Sequence, residues 1–420
     1  MKRFLIIGGG AAGMLASVYA ARNGMEVHLF EQNEKLGKKL FITGKGRCNF
    51  TNGCATDELF ESFITNPRFL YSAVYGYTNY DVIDFFETAG VKTKMERGGR
   101  MFPLSDHSSD IIRALEQQMK KAGVKIHLGS RVKRLLVEKE EDENARITGI
   151  QLDNGEKIRG EQVLVATGGN SYPSTGSTGD GYRIAGELGH TIVAPHGSLV
   201  PLVSEDTCCG IMQGLALKNV QLTAVNEKKK TVFSEFGEML FTHFGVSGPL
   251  VLSASAHLRD WDKHTYSLSI DLKPALSEEK LEERLLRELR EQSNRNMENV
   301  LLSLVPTSMV PVLCTRLHID PELKANSFKK EQRRALLQEL KHFTLSVSGP
   351  RPVAEAIVTS GGVKVGEVNP GTMESKLITG LYFAGEILDV DAYTGGFNLQ
   401  IAWSTGRAAG LAAAEEEGER

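Results

Sequence analysis

Phe4-Leu5-Ile6-Ile7-Gly8-Gly9-Gly10-Ala11-Ala12-Gly13 joins an apolar strand to a helix running to about residue 22, and Glu26-Val27-His28-Leu29-Phe30-Glu31 follows as a second strand closed by an acid. Strand, glycine turn, helix, strand and acid in that order predict a dinucleotide-binding unit. Gly8 lets the chain turn tightly out of the strand, Gly10 keeps a Cβ out of the path of a pyrophosphate, and Gly13 lets the helix pack close to the sheet. Ala11, Ala12 and Gly13 open the helix, so their free N–H groups and the positive end of its dipole face the phosphates. Glu31 sits at roughly the 20-residue offset expected of a carboxylate that accepts hydrogen bonds from an adenosine ribose. A carboxylate there repels a 2′-phosphate, so FAD or NAD fits better than NADP.

Outward from that unit, 420 residues exceed the roughly 250 to 300 at which one core stops growing, so more than one domain is expected. With 41% hydrophobic and 24% charged residues and a net charge of −3 the chain reads as a soluble globular protein without excess positive charge, which argues against nucleic acid as a partner. Cys48, Cys54, Cys208, Cys209 and Cys314 are an odd, scattered set. They suit a reducing, cytoplasmic compartment and neither a disulfide framework nor a metal site. Lys2-Arg3 and the uncharged stretch after them mimic a secretory signal, but four glycines interrupt it and it runs into the Glu31 strand. No run has the roughly 18 apolar residues of a membrane span.

Residues 81–90 and 109–123 read as helices, 124–128 as a strand, and 131–138, 147–152 and 157–159 as an alternating meander turned at Asn154-Gly155. A buried strand at 162–168 ends in Ala166-Thr167-Gly168-Gly169, followed by a Ser/Thr/Gly loop and a helix over 180–188. Short alternating strands fill 191–272, with Lys228-Lys229-Lys230 as a solvated hairpin tip. Residues 277–342 turn helical behind an N-cap at Ser277, with Leu281, Leu285, Leu289, Leu336, Leu337 and Leu340 at helical spacing. A strand over 378–384 and an Ala-rich helix over 398–414 return to the opening style, and the acidic tail 415–420 reads as frayed. The expected fold is therefore α/β: a discontinuous Rossmann-like FAD-binding domain (1–190 and 348–420), interrupted by a β-barrel-like domain (191–275 and 343–347) that carries a helical subdomain (276–342).

Two later segments favour FAD over NAD. The strand ending at Gly168 brings the chain close to a bound dinucleotide, and Leu381-Tyr382-Phe383-Ala384-Gly385-Glu386 ends a strand in glycine and an acid that suits the ribityl or pyrophosphate region, with Glu386 where Asp is usual. Gly395-Gly396-Phe397-Asn398-Leu399 then starts a helix whose N–H groups face the N1 and C2 carbonyl edge of a flavin, where reduction places negative charge.

Gly37-Lys38-Lys39 with Thr43-Gly44-Lys45-Gly46-Arg47-Cys48-Asn49-Phe50-Thr51-Asn52, the stretches 166–182, 237–249 and 359–363, and 380–410 resemble a bacterial flavoprotein family, the YhiN/BaiN-like FAD-dependent oxidoreductases, some labelled aminoacetone oxidase. The resemblance runs nearly end to end. It implies FAD held by a split Rossmann-like domain, with Lys38, Arg47, Asn49 and 360–363 near the cofactor and the Thr242-His243 region bordering a cleft. The cofactor-binding set expected on all these grounds is Gly8, Gly10, Ala11, Ala12, Gly13, Glu31, Gln32, Lys38, Lys39, Thr43, Gly46, Arg47, Cys48, Asn49, Arg131, Val132, Ala166, Thr167, Gly168, Gly361, Gly385, Glu386, Gly396, Phe397, Asn398 and Leu399.

Flavin N5 takes or gives the hydride while the protein orients the reactants. The candidate catalytic residues are His243, as a proton relay or else a structural histidine, and Arg47, which balances a phosphate or substrate carboxylate or else pairs with a protein carboxylate. Tyr172 and Tyr393 lie in flavin-proximal loops. The expected activity is an FAD-dependent oxidoreductase acting on a small organic substrate, with electrons exchanged with NAD(P)H or with oxygen, any NAD(P)H being a transient co-substrate because no second glycine fingerprint follows. One alternative is a flavoprotein redox sensor or RNA-linked binding protein. A lesser one is a dithiol reductase using Cys48 and Cys54, whose five-residue separation departs from the four typical of disulfide reductases.

Overall fold

Phe4 to Ile7, Val163 to Val165 and Leu381 to Phe383 are apolar at consecutive positions, as strands covered on both faces must be. In the computed structural model, which describes residues 2–138 and 145–415, they form a five-stranded parallel sheet. Its strands are β1 (Arg3–Ile7), β2 (Glu26–Phe30), β3 (Lys125–His127), β4 (Gln162–Val165) and β5 (Leu381–Phe383), in the order β5-β4-β1-β2-β3. Register places Leu5 between His28 and Val163, and Val163 beside Leu381, so chain ends far apart in sequence meet in one sheet.

Three helices matter to the site: α1 (Ala11–Arg22), α2 (Ser108–Ala122) and α3 (Phe397–Ala414). Helix α1 packs on both others. Gly406 and Gly410, one turn apart on α3, would carry Cβ atoms 2.5 Å from the carbonyl oxygens of Ala12 and Ala16. Only glycine allows that approach, and close packing of this kind suits a helix rich in Ala and Gly and buried nearly all round. The helix expected over 81–90 runs from Asn79 to Thr88 behind a capping box in which Thr78 and Asp81 bond reciprocally. The expected meander is present, and Val132–Glu138, Ala145–Leu152 and Lys157–Arg159 pair antiparallel. A three-stranded sheet of Thr51–Asn52, Arg100–Pro103 and Thr93–Glu96 lies where the sequence shows no clear periodicity.

The chain divides into two compact units, one from Met1–Ser198 and Val353–Arg420, the other from Leu199–Pro352. The strand Ile192–Ser198, which the alternating pattern assigns to the insert, pairs with Val358–Val363 and lies in the first unit. The second unit holds a seven-stranded antiparallel sheet, including Ala216–Asn226, Thr231–Thr242 and Tyr266–Asp271, and the helices Glu278–Glu291, Met297–Leu302, Val310–Leu317 and Lys330–Lys341. Leu281, Leu285, Leu336, Leu337 and Leu340 are buried in its core, and Ser277 caps the helix Glu278–Glu291 by accepting from Lys280 N–H. The strands at the two ends of that sheet, Phe343–Val347 and Gly349–Pro350, share no ladder among the described residues. They are consecutive stretches of chain parted by Ser348 alone, so one segment borders both ends of the sheet, and the closed barrel that the many short strands suggest is not confirmed. Beyond Glu415 the expected acidic tail lies outside the described residues.

Candidate functional site

The Gly8 to Gly13 turn is built as its sequence demands. Gly8 has φ +107° and a Cβ there would lie 2.4 Å from the Ala166 carbonyl oxygen, while one on Gly13 would lie 2.0 Å from that of Gly8. Gly10 is the opposite case, because its Cβ would meet nothing within 4 Å. The turn therefore presents bare backbone to open space where a pyrophosphate is expected to pass, and this fits the group. Helix α1 begins at Gly10 with no side-chain cap and no acid in its first turn, so its N–H groups and positive dipole end stay available to an anion.

Glu31 is buried at the end of β2. One carboxylate oxygen accepts from Gly9 N–H (2.8 Å) and the other from the backbone N–H and side-chain amide of Asn33 (2.9 and 2.6 Å). A carboxylate has about four acceptor positions, so Oε2 keeps one for a ribose hydroxyl. Ser130 N–H donates to Glu31 O, which brings 130–132 to the same end. Arg131 itself grips Asp180 in a two-pronged pair that holds the guanidinium firmly protonated, Val132 is buried, and Gln32 donates to Gly176 O.

The last helix repeats the device. Gly396 has φ +95°, its Cβ would lie 2.3 Å from Thr51 O, and α3 starts behind it with neither side-chain cap nor first-turn acid. Gly406 meets Ala12, which lies two residues after Gly10, and Gly406 lies ten residues after Gly396. The two helices run in the same direction, since Gly410 likewise meets Ala16. Their starts are thus staggered by eight residues, about 12 Å along the axes. Gly385, φ +78°, lies between them with its Cβ position 3.1 Å from Ala12 Cβ. Asn398 closes the loop before α3, accepting from Ala392 N–H and donating to the carbonyls of Ala392 and Tyr393. Phe397 and Leu399 are half-buried against the core.

Glu386 is tied up by the protein. Lys39 Nζ donates to both its oxygens (2.9 and 2.6 Å) and to Ser171 Oγ (2.6 Å), while Thr359 N–H donates to Glu386 Oε1 (2.8 Å). The pair fixes the 37–52 segment to the Gly385 turn, and neither Ser171 nor Thr359 stands out in sequence. Lys38 bonds Asn33 and Glu34, and Thr43 Oγ1 donates to Lys39 O. Asn49 Oδ1 and Thr167 Oγ1 are buried without a hydrogen-bond partner among the described residues, the condition that a ligand's polar groups relieve. Ala166 and Gly168 sit beneath Gly8 and beside Ser177, and Gly361 packs under Ala194 O in the strand Val358–Val363.

Arg47, on the loop that includes Gly46, lies 4.2 Å over the Phe102 ring and pairs with Glu96 and Asp106. Hydrogen bonds from Arg47 hold Glu96 below the usual carboxylate range, and those from Lys94 and then Arg47 do the same for Asp106. The guanidinium is committed to protein carboxylates. Cys48 is wholly buried and burial pushes its thiol far up, whereas Cys54 is half-buried. That burial leaves Cys48 poorly placed for thiolate chemistry. His243 belongs to the second unit, exposed on the turn between Thr231–Thr242 and Gly245–Ser247. One contact has no forerunner in the sequence: Asn52 Nδ2 donates to both Gly98 O (2.9 Å) and Gly395 O (3.0 Å), linking a hairpin tip to the start of α3.

Among the described residues no helix is long and apolar enough to cross a membrane. The model of the HI0933-like protein Rossmann domain matches residues 2–412. A Clostridium scindens protein named 3-dehydro-bile acid Δ(4,6)-reductase is 32% identical over 419 residues, 99% of this chain and 100% of that one. A Haemophilus influenzae protein named ribosomal RNA dihydrouridine synthase is 34% identical over 97% of each chain, and an Escherichia coli protein of the same name is 34% identical over 96% of each. A quinol-fumarate reductase solved with menaquinol molecules shares the fold, with a TM-score of 0.50 at 17% identity over 99% of this chain and 71% of that one. The two ribosomal RNA names overturn the expectation that nucleic acid is no partner. A net charge of −3 is a sum over the chain and does not report how charge is spread over one face. Matched by this family model and by these relatives over nearly its whole length, the chain belongs to the HI0933-like Rossmann-domain family and is a flavin-dependent oxidoreductase.

Proposed function

We propose that the protein reduces a carbon–carbon double bond conjugated to a carbonyl group, with FAD as resident cofactor and NADH or NADPH as the transient electron donor. FAD, when bound, supplies hydride transfer at its N5. The observation that carries the reading is the stagger of the two uncapped helix starts. They lie side by side and offset by about 12 Å, which an extended ribityl chain between a pyrophosphate and a ring can span. In this reading Gly10 and the first turn of α1 hold the pyrophosphate and Glu31 the adenosine ribose. The start of α3 would hold the flavin ring by the edge on which reduction places negative charge.

The bond class is supported by what the relatives' names have in common. Saturating the ring of uridine and reducing a 4,6-diene beside a 3-oxo group both add hydrogen across a double bond polarised by a carbonyl. Such a substrate takes hydride at the carbon remote from the carbonyl and a proton at the nearer one.

The test is spectroscopic. The purified protein should show a flavin spectrum that bleaches on anaerobic mixing with NADH or NADPH and returns when a cyclic enone or uridine-containing RNA is added. A protein without flavin, or one whose reduced form is reoxidised by oxygen but by neither class of acceptor, refutes the reading.

A further inference from the structure

We infer that the hairpin tip Arg97-Gly98-Gly99-Arg100 is a phosphate clamp for structured RNA, placed so that a gripped strand lies against the flavin end of the cradle. Its position relative to the flavin rests on the reading above, whereas the clamp itself does not. The tip joins Thr93–Glu96 to Arg100–Pro103, with both glycines at positive φ (+78° and +71°), so the turn is tight and its arginines are exposed. It is not a loose loop. Gly53 N–H donates to Gly99 O (2.7 Å), and Asn52 Nδ2 bridges Gly98 O and Gly395 O, one residue before the glycine that opens α3. A Cβ on Gly99 would lie 2.3 Å from Asn52 Oδ1, so the tip is seated directly on that side chain.

Charge on this face departs from that of the chain. Arg47 joins the 43–47 loop to the hairpin through Glu96 and Asp106, and Lys94 shares the same two carboxylates. Lys45, on the exposed loop beside Gly44 and Gly46, and Arg97 have no ion-pair partner among the described residues, and Arg100 reaches Glu96 only at 3.9 Å. Within the segments 43–47 and 93–106, five cations stand against two carboxylates, an excess of three positive charges in a chain whose total is −3. Phe41, 54% exposed on the same segment as Lys45, offers a ring for an unstacked base. Exposed guanidinium groups on the hairpin, and an exposed aromatic ring on the segment that Arg47 joins to it, suit a phosphate backbone with accessible bases.

The experiment measures binding of unmodified ribosomal RNA, transcribed in vitro, to the FAD-loaded protein between about 50 and 200 mM salt. R97A/R100A should weaken binding at least about tenfold and flatten the slope of log affinity against log salt by about 1.4 to 1.8, with flavin content and thermal midpoint unchanged. F41A should weaken binding with the slope intact. The control, K228A/K229A/K230A, removes three exposed charges from the hairpin tip of the second unit and should leave affinity within about twofold if the clamp and not overall charge binds the RNA. The inference is overturned if R97A/R100A binds as the parent does, if the triple-lysine variant loses as much, or if the parent binds anionic phospholipid vesicles but no RNA. A protein that holds no flavin yet loses RNA binding with R97A/R100A refutes the cradle and leaves the clamp standing.

Discussion

Replacing Gly10 by alanine adds a methyl group at a point where no protein atom stands within 4 Å, and its φ of −88° and ψ of −169° are extended values that alanine adopts freely. The fold should therefore tolerate it, at a cost of up to about 1 kcal/mol for the changed N-cap. FAD should not. If the pyrophosphate lies against this Cα, the methyl group pushes it off the first N–H groups of α1, and losing two charge-assisted hydrogen bonds of about 1.5 kcal/mol each weakens binding by about 3 kcal/mol, on the order of a hundredfold in Kd. Gly13→Ala inverts the pattern. Its methyl carbon would lie 2.0 Å from Gly8 O, whereas carbon and oxygen approach to about 3.3 Å, so α1 has to lift from β1 by about 1.3 Å. Overpacking of that kind costs about 3 kcal/mol. Urea unfolding of the apoprotein and FAD titration by flavin fluorescence separate the two effects. A folded G10A variant that binds FAD within about threefold of the parent refutes the placement of the pyrophosphate, and a G13A variant as stable as the parent refutes the packing argument.

Lys39→Met removes the cation from a pair whose side chains are 24% and 20% exposed, between the exposed and buried extremes, and should cost about 2 kcal/mol, with about 1 kcal/mol recovered when Glu386→Gln is added. A coupling below about 0.5 kcal/mol in that double-mutant cycle would show that the pair does not fasten the 37–52 segment. His190 is enclosed, edge-on to Phe383 at 4.9 Å, and burial lowers its pKa from 6.5 although Glu367 pulls the other way. The unfolded chain then takes the proton first, so this contribution to stability is complete above pH 6.5 and declines as pH falls toward the folded value. His190→Gln should flatten that part of the urea-midpoint profile, and an unchanged slope assigns the pH dependence elsewhere. Cys48 should resist a soluble disulfide reagent until the protein unfolds, because burial disfavours its thiolate. The loss of two thiols on turnover would restore the dithiol mechanism.

What the sequence made legible is whatever repeats a short physical necessity. The glycines at 8, 13 and 396 declare themselves because no other residue fits the backbone geometry of the first and last or the space beside the second, and β1, β4 and β5 because burial on both faces leaves only apolar residues. Side-chain pairings were not legible in this way. Arg47 reads equally as a phosphate ligand or as an ion-pair member until Glu96 and Asp106, 49 and 59 residues away, are seen beside it. Glu386 matches a cofactor-binding position in the strand-glycine-acid pattern, and only the fold shows that Lys39 and Thr359 take up its oxygens. The barrel expectation meets the same limit. Strand periodicity reports which face is buried and says nothing of whether the first and last strands pair.

Charge shows the same divide between local and global information. Balance over 420 residues is a sound statement about solubility, but a partner meets one face at a time and within about a Debye length. The Arg97 to Arg100 tip supplies two of the chain's 49 cations, too few to register in a total, yet hydrogen bonds through Asn52 join that tip to the residue before Gly396. If the cradle supplies one reaction to all its relatives, selection among substrates as different as a sterol-like acid and a ribosomal RNA has to come from elements around it. In the first unit a single side chain, Asn52, ties the hairpin to the residue before the glycine that opens α3. Exchanging 93–103 for the corresponding segment of the bile acid reductase should therefore reduce RNA binding while leaving the flavin spectrum alone. An exchange that leaves RNA affinity unchanged would place the discrimination elsewhere.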